Sequence, residues 1–309
     1  MSDQVMNSNE YSKLRSIYKY YIDSYITLYQ LKTNNEEEIE NIYQMIKTEL
    51  IDSKGYPPQC IIKDILNIIP YNNRCTKSYL KLAKLVSDDY DVKEVTMIPM
   101  ISNFLFYKEY GIQLDMCDDF EELVHQDLDI HSDNTIYRTI MDDNIERFIA
   151  FTEREEFDKD QLLANDFYPL YYIGYSLLEL CCYHGAVDCF KLLRSKFNSE
   201  ITGTCLQFSF LGRNKEILNE CLKYKTPNTE CMKYAIISHN IDFVTFLMNE
   251  YNIKIDLYES AFYNNLDSFL VYFDQTNNVD KCFRYSVIFN IPITLRIFSF
   301  TWCKYQCKK

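Results

Sequence analysis

The sequence predicts an all-α protein: a helical N-terminal region over residues 1–135, an α-solenoid of stacked helix pairs over residues 136–292, and a divergent tail over residues 293–309. Three observations predict it. Apolar residues recur three or four positions apart along most of the chain, which is the period of a helix face. Glycine is scarce, with 6 in 309 residues, too few for a typical doubly wound fold, a Gly-rich phosphate cradle or a β-sandwich with frequent turns. Finally, the C-terminal half repeats itself at a near-constant interval, the mark of a stacked architecture.

The first amphipathic stretch carries Leu14, Ile17, Tyr18, Tyr21, Tyr25 and Leu28 on one helical face. A second helix carries Ile39, Ile42, Tyr43, Ile46 and Leu50. It begins after Thr33-Asn34-Asn35 with Glu36, Glu37 and Glu38 in its first turn, and it ends before Gly55. Pro57 and Pro58 set a boundary, after which Ile61, Ile62, Ile65, Leu66 and Ile69 repeat the helical spacing up to Pro70. Tyr79, Leu80, Leu82, Ala83 and Val86 form a further helix, which Thr76 is placed to cap. The acidic tract Asp115 to Asp143 reads as a solvated face or loop.

The repeat is seen by aligning segments on a residue that opens an apolar helix: Glu146, Asp188, Glu216, Asp242, Asp267 and, in the last copy, Pro292. Ten positions earlier stand Ile136, Leu178, Leu206, Met232, Leu257 and Cys282. Seven positions earlier the residue is mostly small: Thr139, Cys181, Ser209, Ala235 and Ser260, with Tyr285 the exception. Apolar columns follow two and five residues after the anchor, as in Phe190 and Leu193. Each copy therefore reads as a short helix, a tight turn near His184-Gly185, and a second helix whose acidic first turn faces the positive end of its dipole. One such pair cannot cover its own apolar stripe, so neighbours must stack.

The run SLLELCCYHGAVDCFKLLRSKF resembles an ankyrin repeat. Ser176 stands at the family's Thr, Leu178 at its Leu and Cys181 at its Ala, while Gly185, Asp188, Leu192 and Leu193 match later positions. Leu177 replaces the usual Pro and Glu179 the usual His. Most copies are roughly 25 to 28 residues long against about 33 for the ankyrin unit, which a shortened finger loop accounts for. Stretches such as KDILNIIPYNN, SNFLFYKEYGI and AIISHNIDFVTFLMNEYNI resemble, more closely, the uncharacterised helical domain that precedes ankyrin repeats in a large protein family of anaerobic flagellate protists. That resemblance spans about Tyr11 to Pro292 and implies degenerate ankyrin-like copies.

The tail ITLRIFSFTWCKYQCKK breaks the rhythm. Written with allowed codons and read one base later, it becomes SLCEYFLSHGANINAK, which looks like the end of one ankyrin repeat and the turn of the next. The expectation is a frame change that truncated a longer ankyrin-repeat protein. Sequencing the locus past the stop tests it, and the absence of an ankyrin-coding frame there would overturn it.

With 45 acidic and 32 basic side chains the chain carries a net charge of −13, which opposes nucleic-acid binding because phosphate affinity comes from counterion release to Lys and Arg. The N-terminus lacks the order of a signal peptide, and no apolar run reaches a membrane span, so a cytoplasmic location with reduced thiols is expected. The 12 Cys lack zinc spacing: Cys181-Cys182 is a bare pair within an apolar pattern, and Cys303 and Cys307 have no second pair at ribbon distance. No metal and no cofactor is expected. Cys181, Cys182 or Cys189 beside His184 invites a thiol–imidazole reading, but His239 occupies the equivalent place in another copy, which favours a turn role. Acidic pairs such as Asp118-Asp119 read as solvated, and Gly212-Arg213-Asn214-Lys215 lacks Walker spacing.

The expected function is that of a non-enzymatic protein–protein interaction scaffold of the ankyrin-repeat type. Carrying the family's His column onto this chain marks Glu179, Gln207, Lys233 and Tyr258 as partner-binding candidates, on the face that ankyrin solenoids commonly offer. Self-association through an uncovered last copy is a further expectation. The alternative is an adaptor in which Pro57 to Tyr90 acts as an F-box-like hook for a ubiquitin-ligase assembly.

Overall fold

A computed structural model describes residues 4–124, 129–169 and 174–289. The chain is all-α, and among the described residues its strands are a single two-residue antiparallel pair, β1 (Leu162–Leu163) with β2 (Tyr175–Ser176). The N-terminal region holds α1 (Gln4–Ile17), α2 (Lys19–Tyr29), α3 (Glu36–Ile46), α4 (Pro58–Ile68), α5 (Thr76–Asp89) and α6 (Met100–Tyr110), followed by the single turn α7 (Glu121–Val124). The first amphipathic stretch is thus two helices. The chain breaks at Tyr18, whose backbone leaves the helical region while its ring stays buried.

Local chemistry sets the other boundaries. The Asn35 side chain accepts from the Glu38 backbone N–H, with three glutamates beside the positive end of α3. That helix widens into a π turn, Lys47–Asp52, and Gly55 at φ +71° reverses the chain before Pro58 opens α4. Thr76 does not cap α5. Its hydroxyl donates instead to the Asn73 carbonyl (2.7 Å) and closes the 3-10 turn before the helix. The acidic tract is mostly loop, as expected, but Asp115 is buried and accepts from the backbone N–H groups of Met97 and Cys117.

The C-terminal half alternates first and second helices. The pairs are α8 (Ile136–Met141) with α9 (Ile145–Thr152), α10 (Leu177–His184) with α11 (Val187–Phe197), and α12 (Gly203–Gly212) with α13 (Lys215–Leu222). Then come α14 (Thr229–Ile237) with α15 (Ile241–Tyr251), α16 (Leu257–Phe262) with α17 (Leu266–Thr276), and α18 (Val279–Ser286). First helices touch in order from α8 to α18, and α9, α11 and α13 form a second row, as do α15 and α17. The copies meet equivalent surroundings: Ile136, Leu178, Leu206, Met232, Leu257 and Cys282 are all buried, as are the five small residues from Thr139 to Ser260. Tyr285, the exception, is half-buried. The last anchor, Pro292, and the divergent tail lie outside the described residues.

Every described turn between paired helices has the same backbone. Asp143, Gly185, Arg213, His239 and Asn264 stand at positive φ, four residues after the small column. The next residue caps the second helix, and where it is Asn144, Asn214, Asn240 or Asn265 its side chain accepts backbone N–H bonds. The longer first interval is taken up by the segment carrying β1 and β2. There Gly174 at φ +90° lies so close to Leu163 that a Cβ would sit 2.8 Å from its carbonyl carbon.

Close approach is tightest at Gly212, where a Cβ would meet the Cys182 carbonyl oxygen at 2.1 Å. Gly212→Ala should therefore destabilise the chain by about 2 kcal/mol or more, because backbone has to move. Gly203→Ala, with no atom within 4 Å, should be neutral or mildly stabilising. Urea unfolding checks both, as a lowered midpoint in the first variant alone.

Candidate functional site

The row of turns forms one edge of the stack, and the N-terminal region lies along it. Arg15 holds Asp267 in a bidentate ion pair (2.9 and 2.9 Å), joined by the Tyr11 hydroxyl at 3.1 Å. Tyr21 donates to Asn264 Oδ1 (2.8 Å), and Tyr29 stacks on His239 with centroids 4.1 Å apart. Gln30 donates to the His239 carbonyl at 3.0 Å. Further along, Arg74 donates to the carbonyls of Met141 and His184, and Tyr183 donates to the Pro70 carbonyl. One hydrophobic core runs through both parts of the chain. The turn edge is therefore occupied by the protein's own helices.

The four expected partner-binding residues sit on successive first helices, away from that junction. Glu179 is only 8% exposed. Its carboxylate accepts from the Ser176 backbone N–H (2.8 Å) in a capping box and from the Thr202 hydroxyl (2.6 Å) of the next copy. Glu179 thus ties two copies together. Gln207 is half-buried, and Lys233 pairs with Glu259 at 3.6 Å. Tyr258 is 49% exposed and stacks on Phe262, itself 47% exposed, with centroids 5.8 Å apart and ring planes 24° apart. The structure brings Lys233, Glu259, Tyr258 and Phe262 to one neighbourhood on α14 and α16. Phe262 and Glu259 went unread in sequence, although the first follows Tyr258 by one helical turn, the spacing of a shared face.

The three thiols near His184 are held protonated. The ten described cysteines are free thiols. Burial pushes Cys181 and Cys182 well above the usual thiol range, and burial with the nearby Asp143 carboxylate does the same for Cys189, so each stays protonated. His184 bonds to the Tyr168 hydroxyl at 2.9 Å, and that hydroxyl also meets His131 at 2.9 Å. Tyr168 and His184 are buried and His131 is half-buried, and the chain fastens the segment between β1 and β2, together with the turn before α8, to α10. No group of three or more His, Cys, Asp or Glu among the described residues is arranged to hold a metal ion. Among the same residues, no helix is long and apolar enough to cross a membrane.

Titration links the junction to stability. Burial lowers His131 to about 4, His239 to about 3, and His184 well below its ordinary value. The unfolded chain takes up protons below about pH 6.5 that these native imidazoles refuse, so stability falls as pH drops through 6.5 toward 4. Asp64 opposes them. Burial beside Tyr25 (2.5 Å) raises it to about 6, so the native state holds a proton that the unfolded chain has lost, and stability rises as pH drops from 6 to 4. Glu259, which burial also raises, acts in the same direction as Asp64, but the three imidazoles outnumber the two carboxyls, and a net loss of stability on acidification is expected. His239→Asn, which suits the left-handed turn and cannot protonate, should recover about 2 kcal/mol of the loss at pH 5. Asp64→Asn should steepen the loss. Urea midpoints between pH 7.5 and 4.5 check both signs.

Residues 197–272, from the end of α11 into α17, match the family model for DUF3447, a domain of unknown function. Searches of the curated proteins and of the solved structures each returned no match.

Proposed function

We propose that the chain is a non-enzymatic, cytoplasmic protein–protein interaction scaffold built from degenerate ankyrin-like helix pairs, and that its recognition edge lies along the first helices. The observation that carries this reading is the exposed, stacked Tyr258–Phe262 pair on α16, beside Lys233 and Glu259. At binding surfaces, large aromatic rings supply contact area at low entropic cost. The row Glu179, Gln207, Lys233, Tyr258 varies in charge and size from copy to copy, which suits recognition of a shaped surface rather than a shared chemical step. DUF3447 is often found with ankyrin repeats, which further supports the architecture.

The adaptor reading has no comparable feature behind it. The apolar residues of α4 and α5, from Ile61 to Val86, are buried within this chain, where a hook would present them to a partner.

Proximity labelling with the wild-type chain, a Tyr258→Ala/Phe262→Ala variant, and a control carrying Lys191→Glu on α11 tests the scaffold reading. The control should keep the wild-type partner set, and the double variant should lose part of it. For a partner seated on this pair, affinity should fall by about 2 kcal/mol or more, roughly thirtyfold. Folding stability should stay within about 0.5 kcal/mol, because both rings are on the surface. Identical partner sets for all three chains would count against the assignment.

A further inference from the structure

A cavity of about 260 Å³ lies where the end of α2 and the 3-10 turns after α4 meet the turns of the α10/α11 and α12/α13 pairs. Its charged lining residues are Lys32, Arg74 and Arg213, and no Asp or Glu lines it. In a chain of net charge −13 that is a sharp local reversal. Among the described residues, none of the three cations has a carboxylate within ion-pair distance. His184 adds no charge, since its ring is neutral and bonded to Tyr168.

Arg213 is the informative residue. The other turns of the row place Asp143, Gly185, His239 and Asn264 at positive φ, the residue types that tolerate left-handed backbone. Arg213, at φ +57°, is the exception. The turn itself does not call for arginine, and the side chain is half-buried with another arginine nearby, both of which lower its pKa. A left-handed arginine set beside a second cation, with no carboxylate at hand, is a costly arrangement that an anion seated between the two would offset.

We propose that this cavity binds a small phosphate-bearing anion between Arg213 of the repeat stack and Arg74 and Lys32 of the N-terminal region. Guanidinium groups match phosphate oxygens with paired N–H donors. Arg74 is already aimed by its bonds to the Met141 and His184 carbonyls. The volume admits a phosphate, a diphosphate or a compact phosphorylated metabolite, and the enclosure excludes a nucleic-acid duplex. Because the cations come from both parts of the chain, occupancy would clamp the N-terminal helices onto the turn edge.

Titration calorimetry and thermal unfolding of the full chain test this with inorganic phosphate, diphosphate, a nucleoside diphosphate and a sugar phosphate, each against sodium chloride at matched ionic strength. Saturable binding of at least one phosphate compound, with a rise in Tm that chloride does not reproduce, is expected. The tightest of the four identifies whether an organic body is seated with the phosphate. Arg213→Gly suits the turn, so its Tm without ligand should be no lower than wild type, while affinity falls at least about tenfold. Arg74→Gln should weaken binding similarly and gives an independent reading. Failure of all four compounds to bind beyond chloride, or unchanged affinity in both variants, would overturn the proposal.

Discussion

Each turn of the stack is hydrogen-bonded to a neighbouring copy, and the remaining architecture depends on that ladder. The Asp143 carboxylate accepts from the backbone N–H groups of Asp188 and Cys189, Asn214 donates to the Gly185 carbonyl, Asn265 donates to the Ile236 carbonyl, and His239 bonds to the Tyr263 carbonyl. Backbone groups have to find partners, and at the turns these come partly from the neighbouring copy and partly from Gln30 and Arg74 of the N-terminal region. These bonds fix the register of the first copy on the second, the second on the third and the fourth on the fifth. They also make the turn edge a regular surface against which α1, α2 and the segment after α4 can pack.

That packing divides the molecule into an occupied edge and a free one. Arg15, Tyr21, Tyr29, Gln30 and Arg74 spend their polar groups on the turns, and the cation-lined cavity opens between the two parts of the chain there. On the first helices, by contrast, Tyr258 and Phe262 remain about half exposed, at 49% and 47%. The contrast follows from where the cores lie. The apolar stripes of α2, α4 and α5 are used up in one continuous core, which holds those helices toward the turns.

The helical character and the copy boundaries were legible because burial on a helix repeats every three to four residues and stacking repeats every copy. The buried columns headed by Leu178 and Cys181 are the direct result. Other features were legible but went unread. The asparagines at 144, 214, 240 and 265 form a column two residues before four of the five acidic anchors, with Ala186 the exception, and their side chains make the cap bonds. The break at Tyr18 was hidden because its ring keeps the apolar period while its backbone departs from it. Thr76 looked like a cap because its residue type suits one, yet a nearer carbonyl, that of Asn73, captured the hydroxyl.

The sequence by itself determined the secondary structure and the stacking order, since both arise from short-range periodicity and from side chains that each copy carries for itself. It also determined that Arg213 departs from the residues at the equivalent turns. Only the tertiary structure decided that Arg74 and Lys32 come to stand beside Arg213, and that the N-terminal helices cover the turns while α16 stays open. Those outcomes depend on contacts between residues more than a hundred positions apart, and no local pattern encodes which of two available edges a packed helix will choose.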